Sequence, residues 1–318
     1  MSSRPAPRGC VALTGATGFV GGHLLRRLSA AGWQVRALTR RPAALAPDAA
    51  VIPIAGDLDS EAALAELVAG VDAVVHCAGL VAARSAAEFE RVNAGGTARL
   101  LRAATAGARP PRFLLMSSLA ARESQISPYA RSKQRAEEIL RQEMAGHDWQ
   151  VLRPPVVYGP GDRATLPLFR QFARGLVLRP AGAGRFSMLY VEDLAAAVAA
   201  LLDQDAAPGQ IMELDDGKPG GYAWDEVLSS AERQLGRRIR SLAVPQPVQR
   251  LAAALGSLGA AVTGRPAMLS QGKVNEIAHP DWVCRNALLG DCISWRPTVG
   301  LDEGFSNTAA WYKAAGWL

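Results

Sequence analysis

Short apolar runs alternate with helical patterns along the first half of the chain. The run CVALTGATG at 10–18 ends in glycines, a helical period follows over 19–31, and alternating apolar residues return at 33–40. Four more apolar runs and three helical patterns continue the alternation; the runs cover 51–57, 71–79, 112–118 and 149–159, and the helices cover 60–69, 86–106 and 128–145. Strands alternating with helices predict an α/β fold, a Rossmann doubly wound parallel sheet with helices on both faces.

The pattern changes after Gly159, where prolines and glycines break the chain into shorter pieces. A clear helix at 191–203 is expected to return to the first lobe. We therefore predict a dinucleotide-binding Rossmann domain over 1–160, completed by 185–205. The remainder, 161–184 and 206–318, is predicted to form a smaller C-terminal α/β substrate-binding lobe.

Composition and charge narrow the classes of function. The chain has 318 residues, of which 49% are hydrophobic and 20% charged, which is typical of a globular enzyme. The net charge of +6 is concentrated in residues 1–47, which hold seven arginines and no acidic residue. A local positive charge favours a phosphorylated small ligand over nucleic acid. The four cysteines have no metal-ligand spacing, so we predict no metal site. No signal-peptide pattern or membrane-spanning run is found, and we expect a cytoplasmic protein.

The sequence TGATGFVG at 14–21 lies at the first junction between strand and helix. Its three glycines allow a tight turn, a close approach of backbone to a pyrophosphate, and packing of the helix on the strand. The helix N-terminus would point its unpaired N–H groups at the phosphates. An ordinary turn is the alternative, but the βαβ context favours dinucleotide binding. The predicted contacts from this turn are Gly15, Thr17, Gly18, Phe19 and Val20.

Two arginines follow the second predicted strand, where an NAD-binding chain usually carries an acidic residue for the ribose 2′-OH. Arg40 and Arg41 could instead bind a 2′-phosphate through paired charge-assisted hydrogen bonds. NADP(H) is therefore the predicted cofactor, and NAD is the alternative if these are ordinary surface arginines. Asp57 and Leu58, after the third strand, are expected beside the adenine.

A series of motifs resembles the extended short-chain dehydrogenase/reductase superfamily, which includes the NAD-dependent epimerases and dehydratases. In order along the chain they are TGATGFVG, GDL at 56–58, HCAG at 76–79, VNAGGT at 92–97, MSS at 116–118, YARSK at 129–133, LRPPVVYGPGD at 152–162 and WRP at 295–297. The match covers essentially the whole chain. The resemblance implies that Ala78, Gly79, Pro154 and Val156 also contact the cofactor.

Tyr129 and Lys133 are the strongest candidates for chemistry. Lysine occurs four times against 31 arginines, and this lysine follows a tyrosine by four residues on a predicted helix, hence on the same face. A nearby ammonium favours the phenolate and would lower the tyrosine pKa from near 10 toward the working range. A compact ammonium also suits a bond to the nicotinamide ribose better than a guanidinium does. A helix-surface pair is the alternative.

The resemblance assigns the partners of this pair. Ser118 would hydrogen-bond the substrate carbonyl oxygen, Tyr129 would protonate it, and Asn93 would lie near the proton path or support the site. Ser117 is an alternative to Ser118. His76 and Cys77 end the fourth strand and are expected to serve packing rather than chemistry.

Three departures argue against the nucleotide-sugar enzymes. Ser118 is followed by Leu119-Ala120-Ala121 instead of the acidic pair of dehydratases, the loop before Tyr129 is short, and Arg185 is displaced by one position. The chain resembles instead the branch with 3β-hydroxysteroid dehydrogenases and complex I accessory subunits. Residues 273–283, KVNEIAHPDWV, resemble the bacterial reductases of the 3-keto group of sphingoid bases or ceramides.

A weakly polar helix predicted over 248–262 carries Leu251, Leu255, Leu258 and Val262 on one face. Such a helix is buried, lines an apolar tunnel, or rests on a membrane through 247–265.

The first hypothesis is an NADP(H)-dependent oxidoreductase that reduces a ketone on a hydrophobic, lipid-like small molecule. The alternatives are a nucleotide-sugar 4-epimerase with retained NAD and a non-catalytic nucleotide-binding scaffold. The resemblance implies a homodimer paired through 86–106 and 128–145.

Overall fold

Strands and helices alternate along the chain much as the apolar runs predict. The computed structural model describes residues 8–182, 184–204, 208–263, 270–285 and 293–318, and within 257–263 the helical backbone alone. The other residues of the two predicted lobes, including 264–265 of the membrane-contact segment, lie outside this description. The strands are β1 (Cys10–Thr14), β2 (Gln34–Thr39), β3 (Val51–Ala55), β4 (Ala73–His76), β5 (Arg112–Met116), β6 (Trp149–Arg153), β7 (Val156–Tyr158), β8 (Leu176–Pro180), β9 (Arg185–Phe186), β10 (Met188–Tyr190), β11 (Gln210–Glu213), β12 (Arg240–Val244) and β13 (Asp281–Trp282). The α-helices are α1 (Phe19–Ala30), α2 (Glu61–Val68), α3 (Ala86–Phe89), α4 (Gly95–Thr105), α5 (Pro128–Glu143), α6 (Leu166–Arg174), α7 (Val191–Asp203), α8 (Trp224–Leu235), α9 (Gln246–Thr263), α10 (Gln271–Ala278) and α11 (Leu301–Ala314).

Seven parallel strands form the central sheet in the order β11-β6-β5-β4-β1-β2-β3. The register aligns Val11 of β1 with Val35 of β2 and with Ala73 of β4. All four residues of β4 are buried, because helices cover both faces of the sheet. The Rossmann doubly wound prediction is confirmed. The strand order reverses between β1 and β4, which opens a crevice at their carboxyl ends.

Each face of the sheet has its own layer of helices. On one face α1 and α7 pack together, with Leu24, Leu28 and Leu194 in a common apolar cluster. On the other face α2, α4 and α5 contribute Leu67, Leu100 and Leu140 to a second cluster. The helix predicted over 191–203 therefore packs against the first lobe, as its apolar composition required.

The structure corrects one domain boundary and two predicted elements. Residues 210–213, assigned from the sequence to the substrate lobe, form β11 and cover the edge of β6. The run at 149–159 is two strands, because Pro154 and Pro155 supply no backbone donor between them, and β7 pairs with β10 outside the central sheet. The helix at 86–106 is interrupted by a π-helical turn at Glu90–Ala94.

The second lobe has a core rich in aromatic side chains. Phe169, Phe172 and Phe305 are buried at the meeting of α6 and α11, with edge-to-face packing between Phe169 and Phe305 at a ring separation of 5.2 Å. Tyr158 at the end of β7 packs on the same cluster, so this core is anchored directly to the end of the Rossmann domain.

The helix predicted over 248–262 is α9, which begins two residues earlier and ends one residue later. Leu251 and Leu255 are 63% and 61% exposed, so core packing does not explain this stripe. The side chains of Leu258 and Val262 lie outside the described residues. No helix in the described ranges combines the length and the apolar composition needed to cross a bilayer.

Candidate active site

The glycine turn between β1 and α1 has the geometry that dinucleotide binding requires. Gly15 has a φ of +79°, and a Cβ there would lie 2.8 Å from the backbone nitrogen of Ala78. A Cβ on Gly21 would lie 2.0 Å from the carbonyl oxygen of Gly15. Thr17 and Gly18 are exposed, and α1 begins without a side-chain cap or an acidic residue in its first turn. Its first N–H groups are therefore available to an anion.

Phe19 and Val20 follow this turn and are half-buried. The Phe19 ring packs edge-on against His23 at 5.7 Å, and Val20 packs on the apolar cluster that contains β1. The Val20 side chain thus holds the helix against the sheet, whereas the Phe19 ring packs within α1 itself.

The next candidate contacts lie at the ends of β2 and β3, where Thr39 and Ala55 are aligned in the register. Arg40 and Arg41 are exposed, and neither side chain has a hydrogen bond or ion pair among the described residues. Asp57 is exposed and accepts a hydrogen bond from the backbone of Asp59, whereas Leu58 is half-buried against Gly96. Parallel pairing thus brings two unpartnered cations beside the predicted adenine contacts.

The loop after β4 contacts α5, the helix that carries Tyr129 and Lys133. Ala78 is half-buried and Gly79 is exposed; a Cβ on Gly79 would lie 3.1 Å from Asn93 Oδ1 and 3.3 Å from Lys133 Nζ. The Lys133 side chain is buried and its Nζ donates to the carbonyl oxygen of Met116 at 2.9 Å. A side chain at position 79 would fill the space beside the ammonium, so the glycine keeps that space open.

Asn93 lies in the π-helical turn and is 3% exposed. Its Oδ1 accepts from the backbone of Leu80 at 2.7 Å, and its Nδ2 donates to the Leu80 carbonyl and to Ser132 Oγ. These bonds use both N–H groups of the amide and one acceptor site of its oxygen, and they tie the loop after β4 to α5. Of the two roles predicted for Asn93, support of the site fits this geometry.

Adjacent serines at the end of β5 point to different neighbours. Ser117 is buried and donates to Glu137 Oε1 at 2.5 Å. The Ser118 hydroxyl contacts the Tyr129 phenol and accepts from the backbone of Ala120 at 3.2 Å. Ser118 is therefore the serine that shares a site with the tyrosine.

The electrostatics of the pair differ from the sequence-based expectation. Burial raises the pKa of Tyr129 to about 12; the Ser118 hydrogen bond lowers this pKa in part, and the charge of Glu276 raises it further. Burial also lowers the pKa of Lys133, against the opposing influence of Cys77 and Glu137. The expected lowering of the phenol pKa by the ammonium is not found. A phenol that keeps its proton at neutral pH suits a proton donor.

His76 is held as a neutral structural side chain. Thr97 Oγ1 donates to the carbonyl oxygen of Asn93, so it must accept from His76 Nε2 at 3.0 Å. Thr14 Oγ1 accepts from the backbone of Ala78 and is free to donate to His76 Nδ1 at 2.7 Å. Burial lowers the pKa of His76 to about 3. The chain of bonds links the glycine turn to the π-helical turn, in agreement with the predicted packing role.

Glu137 and Arg153 form a buried ion pair that sequence reasoning missed. Arg153 donates two bonds to the carboxylate, at 2.9 and 2.6 Å. Glu137 lies one helical turn after Lys133 on the buried face of α5, and a carboxylate on such a face is the signal that could have revealed it.

A second acidic residue, Glu276 of α10, contacts the start of α5. Ser127, the N-cap of α5, accepts from the backbone of Ala130 and donates to Glu276 Oε1 at 2.5 Å. Lys273 pairs with the same carboxylate at 3.0 Å. The hydrogen bond between Ser127 and Glu276 joins parts of the chain that are distant in sequence, and no local sequence signal indicates it.

The last predicted cofactor contacts lie between the two lobes. The Pro154 carbonyl accepts from the backbone of Leu119 at 2.9 Å, which fixes the segment after Ser118. Val156 is 41% exposed. Pro154 therefore contacts the segment after Ser118, and Val156 follows it as an exposed apolar side chain of β7.

Residues 11–214 match the NAD dependent epimerase/dehydratase family. The chain belongs to this family. It is an oxidoreductase of the extended short-chain dehydrogenase/reductase type, a family that uses a nicotinamide cofactor and acts on small molecules.

Members of the family with different substrates are similar to this chain. It is 39% identical over 314 residues to the ceramide reductase of Caulobacter vibrioides, which covers 98% of this chain and 96% of the relative. It is 33% identical to a farnesyl-dihydroquinoline-oxide ketoreductase of Stigmatella aurantiaca over 65% of this chain and 68% of that one. The solved UDP-glucose 4-epimerase of Bifidobacterium longum, in complex with NAD+ and UDP, has the same fold, with a TM-score of 0.72 and 21% identity over 96% of this chain and 99% of that one.

Proposed function

We propose that the protein is an NADP(H)-dependent reductase of a ketone on a hydrophobic, lipid-like substrate, such as a 3-keto sphingoid base or a 3-oxo-ceramide. The observation that carries the proposal is the Tyr129 phenol in contact with Ser118, on the same helix as the buried Lys133 ammonium. The 39% identity to a ceramide reductase over nearly the whole chain supports the substrate class.

The residues present fit a nicotinamide dinucleotide. The uncapped start of α1 and the backbone of Gly15, Thr17 and Gly18 would hold the pyrophosphate. Lys133, beside the open space at Gly79, would bind the nicotinamide ribose. When bound, the nicotinamide supplies the hydride for a ketone or accepts it from an alcohol.

The chain's own residues supply the proton and the orientation. Ser118 would donate to the ketone oxygen and hold it against the Tyr129 hydroxyl, in place of the bond between the two side chains. Tyr129 would deliver its proton to that oxygen as negative charge develops there. Lys133 would restore the proton to the phenol through its cationic end.

Replacing both Arg40 and Arg41 with alanine is expected to raise the KM for NADPH by roughly 10- to 100-fold, since a charge-assisted hydrogen bond contributes about 1.5–3 kcal/mol. The KM for NADH should change little, because NADH lacks the 2′-phosphate. The matched control is Arg102→Ala, another exposed arginine. Equal effects on NADPH and NADH would contradict the predicted cofactor preference.

The direct test is to follow NADPH oxidation by the purified protein with 3-keto sphingoid bases, 3-oxo-ceramides and UDP-sugars. Turnover of the lipid ketones with freely exchanging NADPH is the expected result. Tightly bound NAD(H) and interconversion of UDP-sugars would support the 4-epimerase alternative instead. Cofactor binding without turnover of any ketone would support the scaffold alternative.

Pairing of two copies through α4 and α5 stays a prediction.

A further inference from the structure

The outward face of a small sheet in the second lobe is apolar. Strands β8 and β12 pair in parallel, with Leu178 opposite Leu242. These two leucines are 56% and 55% exposed, and Leu176, two residues earlier on the same side, is 45% exposed. Val177, which points the other way, is fully buried. The three leucines therefore cover the side of the sheet that faces away from the core.

Helix α9 follows this sheet in the chain and carries a second exposed apolar stripe. It begins at Gln246, directly after the strand that ends at Val244. Val248, Leu251 and Leu255 follow the i, i+3, i+7 spacing of one helix face and are 53% to 63% exposed, whereas Ala253 on the opposite side is fully buried. The stripe thus points away from the protein. We call the six exposed side chains, Leu176, Leu178, Leu242, Val248, Leu251 and Leu255, the apolar face.

Cations accompany the apolar face. The two stretches that contain it, 163–191 and 233–275, hold no Asp or Glu. Four of their exposed arginines have no side-chain hydrogen bond, ion pair or ring contact among the described residues: Arg174, Arg238, Arg240 and Arg250. Arg240 is aligned with Leu176 in the strand register, so its charge lies at the edge of the leucines.

We infer that the apolar face docks on a bilayer rich in anionic lipids. Apolar side chains that enter the acyl boundary, ringed by arginines at the level of the headgroups, match the chemistry of such a surface. A second copy of the chain is a poorer occupant, because a two-fold contact would bring the unpaired arginines of both copies together.

The apolar face is connected to the active site. Helix α9 packs on α10. Asn275 of α10 donates to the Ile126 carbonyl at 3.1 Å, and Glu276 binds Ser127 at the start of the catalytic helix. In a docked protein α9 would contact the bilayer and α10 would connect α9 to α5, so the site would lie near the membrane into which a lipid ketone of the proposed class would partition. The inference extends the proposed function, but its observations are independent of the chemistry at Tyr129.

Flotation of the full chain with phospholipid vesicles, without substrate or cofactor, tests the docking. Vesicles of phosphatidylglycerol and phosphatidylethanolamine should carry the protein, vesicles of phosphatidylcholine alone should not, and salt should weaken the binding. Arg238→Gln with Arg240→Gln should lower the partition coefficient by roughly thirtyfold, since each cation near the surface contributes about 1 kcal/mol. Leu178→Ser with Leu242→Ser should also abolish flotation.

The matched control is Arg102→Gln with Arg141→Gln, which removes the same charge from exposed positions on α4 and α5 and should float like the parent. Equal loss in this control, equal binding to neutral vesicles, or no flotation of the parent would overturn the inference. So would loss of a dimer, seen by sedimentation, in the leucine variant. NADPH turnover of a detergent-dispersed ketone by each variant checks its folding, and it separates a failure of docking from a failure of the proposed reaction.

Discussion

Replacing Tyr129 with phenylalanine is expected to lower kcat for ketone reduction by about a hundredfold to ten-thousandfold, the usual contribution of a positioned general acid. The ring keeps its packing against Phe89, at 5.9 Å between centroids, so the fold and the cofactor crevice should persist. Cofactor affinity, measured by quenching of protein fluorescence with NADPH, should stay close to that of the parent. The change removes the only proton that the phenol supplies and leaves the rest of the site in place.

Tyr158→Phe is the matched control, because the buried hydroxyl of Tyr158 has no hydrogen-bond partner in the part of the chain that the structure describes. Its removal should leave kcat unchanged and should leave stability unchanged or raise it, since a buried hydroxyl without a partner is destabilising. A Tyr129→Phe protein with nearly full activity would show that another group protonates the ketone. Loss of cofactor affinity together with activity would point to a structural role instead.

The strands of the central sheet can be predicted from the sequence because they are buried on both faces. Strands β1 to β6 appear as continuous apolar runs, and their order along the chain fixes the crevice at Gly15. Strand β11 is not predicted in this way, because its sequence QIME is short and ends in a charged residue, Glu213. In the structure Glu213 accepts hydrogen bonds from Arg122 and from the backbone of Arg285. Its place in the sheet depends on the open edge of β6, which is a property of the folded molecule.

The residues of the candidate site could be predicted from the sequence about as well as the strands of the sheet. The spacing of Tyr129 and Lys133 is a local helical feature, and a sequence carries such features directly. Alternation along a strand predicts that Ser117 and Ser118 face opposite ways, but it does not say which one faces Tyr129. The sign of the tyrosine pKa shift depends on burial and on Glu276 of a distant helix. Because this shift is the sum of contributions from several tertiary contacts, its direction can be determined only from the three-dimensional structure.

Replacing Glu137 with alanine is expected to lower the free energy of unfolding by about 3–5 kcal/mol, the cost of leaving one member of a buried ion pair alone. The Glu137 side chain is 2% exposed and that of Arg153 is 17% exposed. The substitution would leave the guanidinium of Arg153 without its partner, and it would also remove the acceptor of the Ser117 hydroxyl. Equilibrium urea denaturation followed by far-ultraviolet circular dichroism measures the loss.

The adjacent residue on the same helix provides the control. Glu138 pairs with Arg135 at 3.1 Å, with 33% and 48% of these side chains exposed, so Glu138→Ala should cost no more than about 1 kcal/mol. Glu137→Leu combined with Arg153→Met should recover most of the stability, since an apolar pair of similar volume needs no compensation for buried charge. Equal destabilisation by the two alanine variants would contradict the assigned role of the buried pair.

A second substitution of Glu137, to glutamine, separates an effect on stability from an effect on catalysis through the pH dependence of kcat. Burial lowers the pKa of Lys133, and the charge of Glu137 opposes that shift. Without the carboxylate the lysine pKa falls further, so the ammonium is lost at a lower pH as the pH rises. The alkaline decline of kcat should therefore move to lower pH in Glu137→Gln, whereas Glu138→Gln should keep the parent profile. A merely structural glutamate would change the stability but leave the profile where it is, so this shift distinguishes a residue that maintains the lysine charge.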